Sequence, residues 1–437
     1  MNHYKMNRYK YNYTSIVFLF FFVITACSDP QMYVLERSQS NSSIDTLQVE
    51  NINFYLETSM SMKGYVNSNV SGNYTLKDIV PFLITDLERD YEIPTTLHTI
   101  SDVSRKYKQS KTVFFDQLRG GSLLNGRSSK LQRVFSDVIS STKATDISIL
   151  VSDCIVDLGK TDTMAEGSLV TSEIYQQLVY NESMGVAVFK YTSDFNGDYY
   201  YDRKNTGGNV ISNRPYQGEI LKNRPFYIWV FGDKNRVSDL VSKGIIKGYA
   251  EAHTYNLTPK EVDFALLDHP KTGKIAINSE KGTLIIKEID VRRPAQFTIG
   301  LRLHKQENPL NQIIISPTNY LVSPDYIQNT IDIQIKDATM LLSENIPNKS
   351  QINQEGYTHF IQPTLSDFDP TTTEIKISVH NRIPTWIEDT NLDDDLGVST
   401  KILEHKTFAF KFILDAFAKA YTEKKPLLEF TLTKQQK

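Results

Sequence analysis

Five oxygen-bearing side chains stand at three separated points of the chain. Glu57, Ser59 and Ser61 lie in "FYLETSMSMKGYV", Ser129 in "NGRSSKLQRVFSDVI", and Asp153 in "ISILVSDC". Glu57 closes an apolar run and the two serines follow it at alternate positions. Ser128 and Ser129 precede an amphipathic helix, and Asp153 ends a run apolar enough to be buried on both faces. If the three segments finish at one edge of a sheet, two carboxylates and three hydroxyls meet there. Such a set suits a hard divalent cation. Mg2+ or Mn2+ takes oxygen ligands, keeps several waters and leaves a position open for a partner's carboxylate. The competing reading is local: Ser59 and Ser61 cap the loop while Glu57 accepts from backbone amides.

The elements that must position these groups alternate from residue 51 to about 250. Short apolar runs ("INFYLE", "TTLHTI", "DISILVSD", "GVAVFKY", "PFYIWVFG") read as buried strands. Leu76, Ile79, Leu83 and Leu87 recur at helical spacing behind a Thr75–Asp78 capping-box variant. Leu131, Val134, Phe135 and Val138 predict a second helix, and Val237, Leu240 and Val241 a third. Strands apolar on both faces, interleaved with amphipathic helices, predict a doubly wound α/β sheet, whose strand carboxyl ends form a ligand-binding edge. Residues 255–345 switch to period-two alternation with turn signals, which predicts an antiparallel β-sandwich-like domain. Residues 350–437 read as a small α+β segment whose aromatic helix ("TFAFKFILDAFAKAY") belongs to a core.

The order of strand-terminal acid-x-Ser-x-Ser, a helix start at Ser129-Lys-Leu131 and a buried strand ending in Asp resembles the von Willebrand factor A domain. The resemblance covers residues 51–250 and implies a metal-ion-dependent adhesion site. Ser59 and Ser61 match the family's two serines, Ser129 its threonine, and Asp153 its later aspartate. Glu57 stands where the family has Asp, and Met60 and Cys154 where it usually has Gly. The matched site is therefore degenerate. The resemblance implies adhesion to a protein or other macromolecule.

The first 26 residues have a basic start (Lys5, Arg8, Lys10) and an apolar run from Ile16 to Ile24. That is the layout of a secretory signal, and the run is well short of the ~20 residues that span a bilayer. Ile24-Thr25-Ala26-Cys27 resembles a bacterial lipobox. This implies cleavage before Cys27, diacylglycerol on its sulfur and an acyl chain such as palmitate on the new terminus, which together anchor stably. Ser28 in the following position points to the outer membrane. Cleavage leaves 411 residues and moves the formal charge from −3 to −6. Residues 27–50 read as a flexible tether. With Cys27 lipidated, Cys154 has no partner for a disulfide and reads as buried and inert.

A mildly acidic chain without a basic cluster carries no electrostatic footprint for nucleic acid. The eight histidines show no paired-ligand spacing, and Gly-x-Ser-x-Gly and Walker A motifs are missing, so the chain does not read as an enzyme. The alternative class is a metal-assisted hydrolase of envelope phosphate or sugar esters, which needs a further acid or histidine beside Asp153. A third reading is a structural envelope component with a degenerate site. Phe195, Tyr199 and Tyr200, in "YTSDFNGDYYYD", are expected to form a partner-binding rim beside the Glu57 edge. "EDTNLDDDLG" (Glu388 to Gly397) reads as a solvated acidic turn.

Overall fold

The computed structural model describes residues 30–36, 48–67, 75–126, 129–158, 163–201, 205–206, 209–210, 215–216, 220–257, 259, 262–289, 292–303, 308–323, 331–345, 347, 349–366, 369, 371–395, 398–421 and 426–435. Gln31–Glu36 is the first strand (β1), followed by Asn51–Glu57 (β2), Thr95–Ile100 (β3), Ser104–Lys106 (β4), Asp146–Ser152 (β5) and Met184–Phe195 (β6). Four two-residue strands come next: Tyr199–Tyr200 (β7), Asn205–Thr206 (β8), Asn209–Val210 (β9) and Pro215–Tyr216 (β10). They lead to Leu221–Asp233 (β11) and Glu251–Tyr255 (β12). Among these run helices Lys63–Val66 (α1), Leu76–Tyr91 (α2), Lys111–Arg119 (α3), Leu131–Ser141 (α4), Thr163–Val179 (α5) and Lys234–Ser242 (α6).

Seven strands form one sheet in the order β12-β6-β11-β5-β2-β3-β4. Every second residue turns to one face. Phe226, Ile228 and Val230 of β11 join the core under α2, α3 and α6, while Tyr227, Trp229 and Phe231 join the core under α4 and α5. Helices thus cover both faces, as expected. Only β3, β2 and β5 are parallel neighbours, whereas β11 runs antiparallel to both β5 and β6. The expected run of parallel strands is therefore corrected to a mixed sheet. β6 and β11 pair antiparallel along most of their length, and the described residues between them form four two-residue strands and no helix, as antiparallel pairing needs no crossover.

α2 begins where the capping pattern places it. The Thr75 hydroxyl donates to Asp78 Oδ2 at 2.6 Å, and the Thr75 amide approaches the same oxygen at 3.3 Å. Pro81 lies inside this helix, one turn past its start.

The remaining strands are Asp263–Thr272 (β13), Lys274–Asn278 (β14), Thr283–Glu288 (β15), Ala295–Arg302 (β16), Tyr320–Ser323 (β17), Ile331–Asp337 (β18), His359–Leu365 (β19), Glu374–Val379 (β20), Asn391–Leu392 (β21), Thr407–Phe408 (β22) and Leu428–Lys434 (β23). One antiparallel sheet has the order β14-β15-β1-β23-β20-β17 and another β13-β16-β19-β18. Their apolar residues share a core, with Phe264 edge-on to Phe430 at 4.9 Å.

This arrangement corrects the sequential division of the chain in two ways. β1, read as tether, is paired on both sides, to β15 and to β23. Tyr33 and Leu35 point into the core and Met32 points out, which is the alternation of a half-buried strand. The segment 350–437 is also split between two bodies. β19, β20 and β23 complete the β sheets, while helix Phe410–Ala420 packs on the seven-stranded sheet, with Phe417 stacked on Trp229 at 4.9 Å and Phe410 on Tyr227 at 4.2 Å. Gly167 of α5 lets this helix approach, since a Cβ there would meet the Phe412 ring at 2.2 Å.

Candidate functional site at the strand ends

β2 and β5 are parallel neighbours in register, with Leu56 opposite Val151, so Glu57 and Asp153 leave adjacent strands on the same edge. The chain departs from β2 to opposite sides of the sheet, toward β3 and later β5, which is the topological switch where α/β folds bind ligands. Both carboxylates are buried, at 2 % and 1 % exposure, as are Ser59 and Ser129. The Ser152 hydroxyl donates to Glu57 Oε2 and accepts from the Cys154 amide at 2.9 Å. Asp153 Oδ1 accepts from the Ile155 amide at 3.2 Å. Ser59 and Ser61 share a hydrogen bond of 2.9 Å.

The loop after β2 is clamped from both sides. Thr58 donates its amide to the Ile100 carbonyl of β3 at 2.9 Å, and the Gly126 amide donates to the Thr58 carbonyl at 2.8 Å. Ser59 forms a parallel bridge with Gly126. A side chain at Gly126 would put its Cβ 2.9 Å from the Thr58 carbonyl oxygen, so the close approach needs glycine. This clamp carries the segment before α4 to the edge, and Ser129 arrives with it.

All five predicted residues therefore meet. Ser128 lies outside the described residues, as do Cys27 and the leader before it. Two buried oxygens at the meeting point, Asp153 Oδ2 and Ser129 Oγ, make no hydrogen bond of ordinary geometry. The Ser129 hydroxyl nonetheless lies near enough to Glu57, and that of Ser61 near enough to Asp153, to favour the charged carboxylates. Burial, and then the charge of Asp153, push the Glu57 carboxyl up to about 7, against the hydroxyls of Ser152, Ser59 and Ser129. Burial likewise raises Asp153, opposed by the Ser61 hydroxyl and the Arg224 charge. A buried oxygen set short of positive charge is what a hard cation relieves. Among the described residues, no group of three or more His, Cys, Asp or Glu is placed to hold a metal, so any cation here would rely on the serine hydroxyls and on water.

Cys154, at the position where the resembled family has glycine, is in the left-handed region at φ 55. It is fully buried, and its sulfur accepts from Trp229 Nε1 at 3.3 Å. Burial raises its thiol well above the ordinary range, in keeping with an inert role.

The expected aromatic rim is corrected. Phe195 and Tyr199 are buried, each at 1 % exposure, and Tyr200 is half-buried. Phe195 lies over Gly64, where a Cβ would meet its ring at 2.2 Å, and the Asn196 amide donates to the Gly64 carbonyl at 2.8 Å. Gly64→Ala should therefore destabilise by about 1–3 kcal/mol in urea denaturation, because the ring has to move. The Tyr199 hydroxyl donates to Asp395 Oδ2 at 2.8 Å, and this aspartate is itself buried, so the acidic turn is not wholly solvated. Arg224 covers the Tyr199 ring at 4.6 Å and the Phe195 ring at 5.4 Å, and donates to the Leu403 carbonyl. Sequence reasoning missed both Ser152 and Arg224. Arg224 had a signal, as the one cation inside the otherwise apolar stretch "NRPFYIWVFG".

In comparison with known proteins, the chain matches no family model, no curated relative and no solved structure. Among the described residues no helix is long and apolar enough to cross a membrane.

Proposed function

We propose that this is a lipid-anchored protein of the bacterial envelope, held at the outer membrane through Cys27. Its α/β domain, of von Willebrand A type, binds another macromolecule at the strand-end edge through Mg2+ or Mn2+. The reading is of a binding protein rather than an enzyme. The observation that carries it is the pair of buried oxygens that make no ordinary hydrogen bond, Asp153 Oδ2 and Ser129 Oγ, beside a second carboxylate. The β3-β2-β5 unit that this reading requires is parallel, whatever the direction of the outer strands. Glu57, Ser59, Ser61, Ser129 and Asp153 would hold the ion, directly or through water. The ion would supply positive charge for a partner's carboxylate. Met60 at 40 % exposure and half-buried Ser61 lie outermost at the site and would meet that partner first.

Calorimetric titration of Mn2+ into the full chain at pH 8 tests the reading. Saturable heat is expected, with affinity weakened at least roughly 100-fold in Asp153→Ala. Affinity should also fall as pH drops below about 7, because a proton on Glu57 competes with the ion. No heat in either protein removes the ion and leaves a binding fold without one.

A further inference from the structure

A second cavity lies beside β12, an edge strand of the seven-stranded sheet. Among the described residues β12 pairs with β6 alone, and it lies four strands away from β2, or ~19 Å at the usual strand spacing. A cavity of about 540 Å3 opens between β12, the end of helix Phe410–Ala420 and the loop at Asn381–Ile383. Its walls are tied down. Asn381 Nδ2 donates to the Thr254 carbonyl at 2.6 Å, and Asn256 Nδ2 donates to the Glu182 and Met184 carbonyls at 2.9 and 2.8 Å.

Two tyrosine hydroxyls in this lining have no partner, those of Tyr255 and Tyr421. Tyr255 is 4 % exposed, so its bare hydroxyl is a buried polar group left for something else to satisfy. Its ring stands edge-on to His253 at 4.6 Å and 6.4 Å from that of Tyr421, which gives the cavity aromatic walls. His253 is neutral, since burial lowers it to about 3. The remaining charges are unequal. Burial raises the Asp415 carboxyl against the charges of Lys411 and Lys419, whereas Arg382, exposed at the mouth, has no carboxylate within ion-pair distance among the described residues. A guanidinium fork matches a carboxylate in two-point contact.

We infer that this cavity binds a small hydroxylated carboxylate of about sugar-acid size, its carboxylate at Arg382 and its hydroxyls at Tyr255 and Tyr421. The volume falls in the range of small-molecule pockets, and apolar walls with a few placed polar groups are their usual make-up.

The test is titration of the full chain, followed by calorimetry or tyrosine fluorescence, with glucuronate, glucose and acetate. Glucuronate should saturate the site, and glucose and acetate should bind at least roughly tenfold more weakly, each lacking half of the contacts. Arg382→Gln should weaken glucuronate to the glucose level. Tyr255→Phe, which keeps the ring, should weaken it several-fold, and Asp153→Ala should leave it unchanged. Arg382 is exposed, so its replacement leaves the fold intact. Absence of saturable glucuronate binding overturns the site. Glucose binding as tightly as glucuronate overturns the carboxylate assignment, and wild-type affinity in both cavity variants overturns the placement.

Discussion

Glu57→Gln should stabilise the cation-free protein by about 3 kcal/mol at pH 8 and flatten its pH dependence. The native carboxyl titrates near 7 against an ordinary value of 4.5, because burial and Asp153 disfavour its charge. Between those two values the folded chain keeps a proton that the unfolded chain has released. Stability is therefore fullest below about 4.5, declines as pH rises through the interval, and stays reduced above 7. A gap of 2.5 pH units at 1.36 kcal/mol each gives the magnitude. Glutamine still accepts from Ser152 but carries no charge to bury. Urea denaturation from pH 4.5 to 8 measures the difference, and parallel profiles for the two proteins would count against the buried pair. Saturating Mn2+ should restore the wild-type protein at high pH and do little for the variant.

Arg224→Ala should cost about 3–5 kcal/mol, read as a lower urea midpoint with unchanged slope. The guanidinium is 1 % exposed, lies over two aromatic rings and donates to the Leu403 carbonyl. Stacking of a desolvated cation contributes ~2 kcal/mol or more, and the orphaned carbonyl and the void add to that loss. Its removal also takes away a positive charge beside Asp153, which repels a divalent cation more than a proton, so Mn2+ affinity at pH 8 should rise rather than fall. Arg224→Lys restores the charge but not the flat contact with Tyr199, so it should return Mn2+ affinity to the wild-type level while recovering only part of the stability. A change of under 1 kcal/mol in the alanine variant would mean that the aromatic pair packs adequately without it.

The strand ends were legible because Glu57 and Asp153 each close a run too apolar to lie anywhere but inside, and parallel neighbours bring such ends together. Direction was not legible. β6 and β11 read equally well as parallel or antiparallel strands, since burial on both faces leaves no periodicity to tell them apart. Residues 31–36 were hidden by their polar surroundings, although Tyr33 and Leu35 carry the alternation. Helix Phe410–Ala420 was readable as core, but its place was not. Its partner Thr171, whose hydroxyl donates to the Phe412 carbonyl at 2.8 Å, lies 241 residues earlier, and no local pattern encodes such a pairing. Phe195 and Tyr199 looked like surface aromatics because their burial depends on two glycines meeting, Gly64 and Gly197, which sequence spacing does not reveal.

If the protein is lipid-anchored as proposed, the position of β1 bears on how it would stand at the membrane. With Cys27 acylated, Ser28, Asp29 and Pro30 are all that separate the acyl chains from a strand held on both flanks. At ~3.5 Å per residue this leash reaches at most about 14 Å, roughly twice the ~5–7 Å depth of one headgroup layer. The β sheets would then ride on the bilayer itself. The chain's other end comes to the same place, since the Gln435 amide donates to the Met32 carbonyl at 2.8 Å. On that proposal any partner would have to come to the membrane, because so short a leash would give the body little reach away from it.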